Sequence, residues 1–259
     1  MKIAVTGKGG VGKTTLSSVL ARLYADEGKK VLAADVDPDA NLGLALGFSE
    51  EELERLTPIS EMSEFIAERT GANAETFGKF FKLNPKVDDI PDRFAIGKNG
   101  VRLLVMGTVE TGGGGCVCPE HVVLKRIISN LVIGRDEVVI LDMEAGLEHL
   151  GRGTADFVDR FIVVIEPGAR SIQTYKKVKQ LAADIGVKKI SVVANKVRSR
   201  EDEEFLKSKI PEDELLGFIS YNAEVIEADR LALSPYELSG VTVEEIKSIK
   251  LKIDSEVKK

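Results

Sequence analysis

Near the start of the 259-residue chain, glycine, lysine and hydroxyl side chains fall in the order Gly7-Lys8-Gly9-Gly10-Val11-Gly12-Lys13-Thr14-Thr15. The spacing Gly7-x-x-x-x-Gly12-Lys13-Thr14 is the P-loop pattern, and the chemistry it offers is capture of a phosphate chain. Glycines let successive backbone N–H groups turn inward around an anion without Cβ clashes, and a helix starting behind them adds partial positive charge. In such a loop Lys13 neutralises the β- and γ-phosphates and the Thr14 hydroxyl ligates Mg²⁺. Gly9, Gly10, Val11, Gly12 and Thr15 complete the expected nucleotide cradle.

A second set of chemically capable residues follows four consecutive glycines, Gly112–Gly115: Cys116-Val117-Cys118-Pro119-Glu120-His121. Two thiolates on one loop are soft ligands suited to Zn²⁺, Ni²⁺ or Cu⁺. One Cys-x-Cys supplies two ligands, whereas a tetrahedral site wants four. Two such loops meeting on the two-fold axis of a symmetric dimer would supply them, coupling metal binding to dimerisation. The plainer alternatives are two small residues on a flexible loop, or a regulatory thiol pair. His121 starts a helix, where a histidine is more often structural than a ligand, and His149 has no evident partner.

The elements that must position these groups alternate short β-branched runs with longer amphipathic stretches, the pattern of a parallel sheet covered by helices. Strands are predicted at Lys2–Thr6, Val31–Asp35, Val101–Gly107, Glu137–Asp142, Arg160–Glu166, Lys189–Ala194 and Leu215–Ile219. Helices are predicted at Lys13–Glu27, Glu120–Ile133, Ser171–Ile185, Arg200–Lys209, Ala223–Leu231 and Val243–Glu256, with Gly28 and Gly186 as C-caps of two of them. The expected fold is therefore α/β: a mostly parallel central sheet with helices on both faces, in three layers. From Gly47 to Gly100 the alternation lapses, leaving a helix around Ser60–Arg69 and an irregular stretch with Pro85 and Pro91. The economical reading is a single domain over 1–259 with an insertion between the second and third strands, either a lid or partner surface or a plain surface insertion with short helices of its own.

Composition narrows the function classes. Lys plus Arg is 36 and Asp plus Glu is 42, a net charge of −6, and Trp is absent. A protein that neutralises nucleic-acid phosphates should be basic, so no nucleic-acid partner is expected. No apolar run reaches the roughly 18–20 residues of a membrane span, and Met1–Val5 is too short for a signal peptide. A cytoplasmic location follows as the expectation, with reduced thiols.

Gly-Lys-Gly-Gly-Val-Gly-Lys-Thr-Thr resembles the deviant Walker A sequence of the MinD/ParA-like class of P-loop ATPases. The resemblance implies a nucleotide-dependent homodimer in which Lys8 reaches the partner's nucleotide, as an arginine finger does. It implies further that Asp37 is the switch I aspartate orienting the attacking water, with Asp35 near the Mg²⁺ shell. Val138-Val139-Ile140-Leu141-Asp142 has the Walker B form, with Asp142 holding Mg²⁺ through water, and Glu144-Ala145-Gly146 resembles switch II. Asn195 falls where this class contacts adenine, although an Asn there also suits a turn. The guanine signature fails because Asn195-Lys196-Val197 is followed by Arg198 rather than Asp, which favours ATP.

Together with the Cys-x-Cys loop, the run Asp142-Met143-Glu144-Ala145-Gly146-Leu147-Glu148-His149-Leu150-Gly151-Arg152-Gly153 resembles the CooC-type accessory ATPases that mature nickel enzymes of the carbon monoxide dehydrogenase and acetyl-CoA synthase type. That resemblance implies an ATPase dimer that binds Ni²⁺ or Zn²⁺ through Cys116 and Cys118 and assists nickel insertion into a client. Two alternatives remain. Nitrogenase iron protein relatives place a second cluster cysteine just after Walker B, and Met143–Gly153 contains none. A generic switch ATPase of the class would have no role for the Cys-x-Cys loop. The C-terminal stretch, with acids at its start, reads as packing on the body rather than as a basic membrane helix.

Overall fold

The computed structural model describes residues 1–37, 39–71, 82–107, 119–133, 137–144, 158–187 and 189–257. The chain opens with β1 (Lys2–Gly7), α1 (Lys13–Asp26) and β2 (Val31–Val36). Four short helices follow, α2 (Leu42–Ala45), α3 (Glu50–Glu54), α4 (Ser63–Thr70) and α5 (Ile90–Phe94), then the hairpin β3 (Ile96–Lys98) and β4 (Val101–Val105). The second half runs α6 (Pro119–Ile133), β5 (Val138–Met143), β6 (Arg160–Ile165), α7 (Ala169–Asp184), β7 (Ile190–Val197) and α8 (Arg200–Lys207). It ends with β8 (Leu215–Ser220), α9 (Ala223–Arg230), α10 (Pro235–Leu238) and α11 (Gly240–Val257).

These strands form one eight-stranded sheet in the order β3-β4-β2-β5-β1-β6-β7-β8. Every pair is parallel except β3 with β4. The expected mostly parallel, helix-covered sheet is therefore what forms. Alternating residues of each strand face opposite sides, and both sides are apolar because both are covered. Ala4, Leu141 and Val163 face a core shared with α6 and α7, through residues such as Ile127 and Tyr175. Ile3, Ile140 and Ile162 face a second core shared with α1 and α11, through Leu16, Leu20 and Ile249. β1 lies between β5 and β6, where the winding of the chain reverses, so a crevice opens at the carboxyl ends of these strands.

Two differences from the sequence reading lie in the insertion. The helix expected at Ser60–Arg69 is a 3₁₀ turn at Ile59–Glu61 followed by α4. The irregular stretch also contains β3, turned back on β4 by Asn99 and Gly100 at φ +50° and +77°. Both central residues in the left-handed region is the geometry that an Asn-Gly pair favours in a tight hairpin. The expected C-caps at Gly28 and Gly186 have φ +77° and +90°. No described helix is long and apolar enough to cross a membrane.

The C-terminal helix packs on the body, as its pattern suggested, with Ile246, Ile249 and Ile253 buried. A buried cation fastens it to α1. Lys250, 2% exposed, donates to the Glu27 carboxylate at 2.7 and 2.8 Å and to Asp254 at 2.8 Å. The Tyr24 hydroxyl donates to the same Asp254 at 2.8 Å. Lys250→Met keeps the aliphatic stem and removes the charge-assisted bonds. It should lower unfolding stability by about 1.5–3 kcal/mol, read from the urea midpoint. A midpoint equal to that of the wild type would show that this clamp contributes nothing.

Candidate functional site

The crevice holds the glycine-rich loop, and the loop's shape is enforced from β7. Gly12 enters α1 at φ +93°, and a Cβ there would lie 2.0 Å from Asn195 Nδ2. A side chain is therefore excluded twice, by backbone conformation and by contact. Asn195 Nδ2 donates to the Val11 carbonyl at 2.8 Å, and its Oδ1 accepts the Lys196 N–H at 2.8 Å. Asn195, read from sequence as a base contact, is in this structure a brace for the loop. Asn195 also lines the cleft beside the loop.

Behind the loop, β2 and β5 run in a register that sets Asp35 opposite Asp142, both fully buried. Asp142 accepts the Thr14 hydroxyl at 2.7 Å and the Ser17 hydroxyl at 3.1 Å. Asp35 accepts backbone N–H groups from Leu42 at 2.8 Å and Asp37 at 3.2 Å. Burial first, then the negative charge of Asp142, pushes Asp35 up to about 7. Burial pushes Asp142 up to about 6, opposed by the Thr14 and Ser17 hydroxyls and by the charge of Lys13. A pair of buried carboxylates held above their ordinary range, flanked by hydroxyls, is a hard oxygen set short of positive charge. It fits Mg²⁺, which uses one or two carboxylates together with water and phosphate oxygens.

Lys13, 6% exposed, reaches from the first turn of α1 to Asp37, with Nζ 3.2 Å from Oδ2. The structure thus brings together Lys13 and Thr14, Asp37 and Asp142 from three separate stretches of chain. Thr6 ties the start of the Glu144 segment to β1, its hydroxyl donating to the Glu144 carbonyl at 2.6 Å. Lys8 is exposed at the tip of the loop, and among the described residues it forms no ion pair. The cleft of about 730 Å³ runs from Gly9, Gly10, Gly12–Thr15, Asp37 and Glu144 past Asn195 to a mainly apolar end with Ile219, Tyr221, Val225 and Ile226, which also carries Asp229. A charged end and an apolar end within one cleft match a phosphate chain joined to a base.

Cys116, Cys118, Ala145, Gly146 and His149 lie outside the described residues, as does the side chain of His121. Among the described residues, no group of three or more His, Cys, Asp or Glu side chains could hold a metal ion. Sequence reasoning missed Ser17 and Lys196. Ser17 stands three residues after Thr14, one helical turn on, so that spacing alone could have pointed to it. Lys196 gave no such signal.

Residues 2–234 match the CobQ/CobB/MinD/ParA nucleotide binding domain. The chain is 50% identical, over 92% of its length and 90% of the relative's, to the carbon monoxide dehydrogenase accessory protein CooC of Rhodospirillum rubrum. It is equally 50% identical to an uncharacterised ATP-binding protein of Methanocaldococcus jannaschii, covering 96% of both chains. Among solved structures, the MinC:MinD cell division complex of Aquifex aeolicus superposes with a TM-score of 0.68 at 18% identity, covering 98% of this chain and 96% of that one.

Gly12→Ala should weaken nucleotide binding at least tenfold, measured by calorimetric titration with ATP and Mg²⁺. Truncating Asn195 to Ala in the same chain should restore part of the loss. It cannot restore all of it, because the left-handed backbone still costs about 1–2 kcal/mol. Wild-type affinity in Gly12→Ala alone would contradict the loop packing described.

Proposed function

The chain belongs to the CobQ/CobB/MinD/ParA family of nucleotide-binding ATPases, in its CooC-type branch, and we propose that it is an accessory ATPase for a carbon monoxide dehydrogenase-type client. In this reading it works as a nucleotide-dependent homodimer that carries Ni²⁺ or Zn²⁺ as cargo and assists nickel insertion. The observation that carries the catalytic half is the convergence of Lys13, Thr14, Asp37 and Asp142 on one crevice. The likeness to CooC supports the client half.

ATP enters with its phosphates over the N-terminus of α1 and its adenine toward the apolar end, near Asn195. The incoming phosphates compete with Asp37 for Lys13, releasing the Asp37 carboxylate to accept a hydrogen bond from water. Thr14 and Asp142 hold Mg²⁺, which when bound neutralises charge on the phosphate oxygens. Water attacks the γ-phosphorus, the bond to the β–γ bridging oxygen breaks, and ADP and phosphate result. Lys8 from the partner neutralises charge on the transferring group, where fixed charge contributes most. Loss of the γ-phosphate then relaxes the Glu144–Gly146 segment, and the dimer that brings the Cys116 and Cys118 loops together loosens.

The metal content and mass of the purified protein, with and without ATP, test this reading beside a Cys116→Ser/Cys118→Ser variant. Expected is about one Ni²⁺ or Zn²⁺ per two chains, lost in the variant. Iron with sulfide would instead make the protein an electron-transfer ATPase of the nitrogenase iron protein type. ATP-dependent dimers without metal would leave a generic switch ATPase. In a separate assay Lys8→Ala should reduce turnover roughly a thousandfold or more, the range such a trans charge contributes. Its ATP affinity should stay near that of the wild type, and unchanged turnover would remove the crossing lysine from the mechanism.

A further inference from the structure

The end of β7 departs from regular strand geometry beside the phosphate loop. Lys196 has φ +57°, a conformation uncommon for a residue with a Cβ, and the pairing of β7 with β8 shifts register between Ala194 and Val197. Consecutive side chains of a regular strand point to opposite faces. Here the kink turns both Asn195 and Lys196 onto the same loop. Asn195 holds the Val11 carbonyl, and Lys196 Nζ donates to the Gly10 carbonyl at 2.6 Å. From the other side Lys196 is held by Glu166, just beyond β6, with Nζ 2.6 Å from Oε1.

One peptide plane carries this grip further. The Gly10 carbonyl and the Val11 N–H belong to the same trans peptide and point in opposite directions. While Lys196 holds the oxygen, the Val11 N–H donates to the Lys8 carbonyl at 3.3 Å. Elsewhere the tip is open: a Cβ built on Gly9 or Gly10 meets nothing within 4 Å. Backbone strain retained where it brings two side chains onto a reactive loop points to a functional constraint.

We infer that Lys196 is a positioning residue for ATP hydrolysis: with Glu166 it anchors the tip of the phosphate loop and so sets where Lys8 is presented. The inference rests on the reading that Lys8 acts on the partner's nucleotide. It separates hydrolysis from capture, because Lys13, Thr14 and the start of α1 are fixed by Asp142, Asp37 and Asn195 rather than by Lys196.

Steady-state turnover and ATP dissociation constants of Lys196→Met, Lys196→Arg, Lys8→Ala and the Lys196→Met/Lys8→Ala pair test it. Lys196→Met should lower kcat at least tenfold while the dissociation constant moves less than threefold. Lys196→Arg, which keeps charge and donors, should recover at least a third of the activity. The pair should be no slower than Lys8→Ala alone. With Lys8→Ala slow, a Lys196→Met enzyme within twofold of wild type overturns this inference and leaves the crossing lysine standing. So does an affinity loss as large as the loss in kcat, or a multiplicative effect in the pair. Wild-type turnover in Lys8→Ala overturns the crossing lysine itself, and the positioning role with it.

Discussion

Asp35 and Asp142 face each other across adjacent parallel strands with no exposed surface, and two carboxylates in that position must be answered by donors or by positive charge. Much of the surrounding structure supplies them. The hydroxyls of Thr14 and Ser17 come from the first turns of α1, the N–H groups of Asp37 and Leu42 from the turn after β2, and the charge of Lys13 from the same helix start. The register of β2 on β5, the start of α1 and the turn beyond β2 are thus held to one arrangement by a single electrostatic requirement. The same requirement gathers a hard oxygen set of the kind that suits a divalent cation.

That arrangement is connected by hydrogen bonds to the insertion. The Met106 N–H at the end of β4 donates to the Asp35 carbonyl at 2.9 Å, and the Met106 carbonyl accepts the Ser60 N–H at 3.0 Å. Gly107 then packs so closely that an added Cβ would lie 2.2 Å from Ser60 Oγ and 2.7 Å from Pro58 Cβ. The turn at Ile59–Glu61 therefore sits against the end of β4, within two hydrogen bonds of the Asp35 backbone at the crevice. On the opposite flank of the sheet, Lys250 and Tyr24 bind α11 to α1, so the helix that presents Thr14 is held at its far end as well.

The parts legible in the sequence were those whose cause is local or periodic. The loop Gly7–Thr15 was readable because backbone N–H groups can line a phosphate cradle only where glycines remove Cβ atoms. The parallel strands were readable because burial on both faces makes them apolar throughout. Asn99-Gly100 carried a hairpin signal as strong as any in the chain, yet three-residue β3 is too short for its alternation to show. Asn195 was legible as a polar residue at a strand end, but its bond to the Val11 carbonyl depends on a contact across 184 positions of sequence. Lys196 could not be read at all. A left-handed lysine is a product of the kink in β7, and nothing in its type or its neighbours encodes that conformation.

The central claim is that nucleotide in this crevice closes a dimer which hydrolysis reopens. Sedimentation velocity of an Asp37→Ala protein with ATP and Mg²⁺ tests it most directly. Removing the carboxylate proposed to orient water, while sparing Thr14 and Asp142, should block turnover and accumulate a stable dimer. The wild-type protein should return to monomer as ATP is spent. An Asp37→Ala chain that binds ATP but stays monomeric, or that hydrolyses at the wild-type rate, would contradict the account.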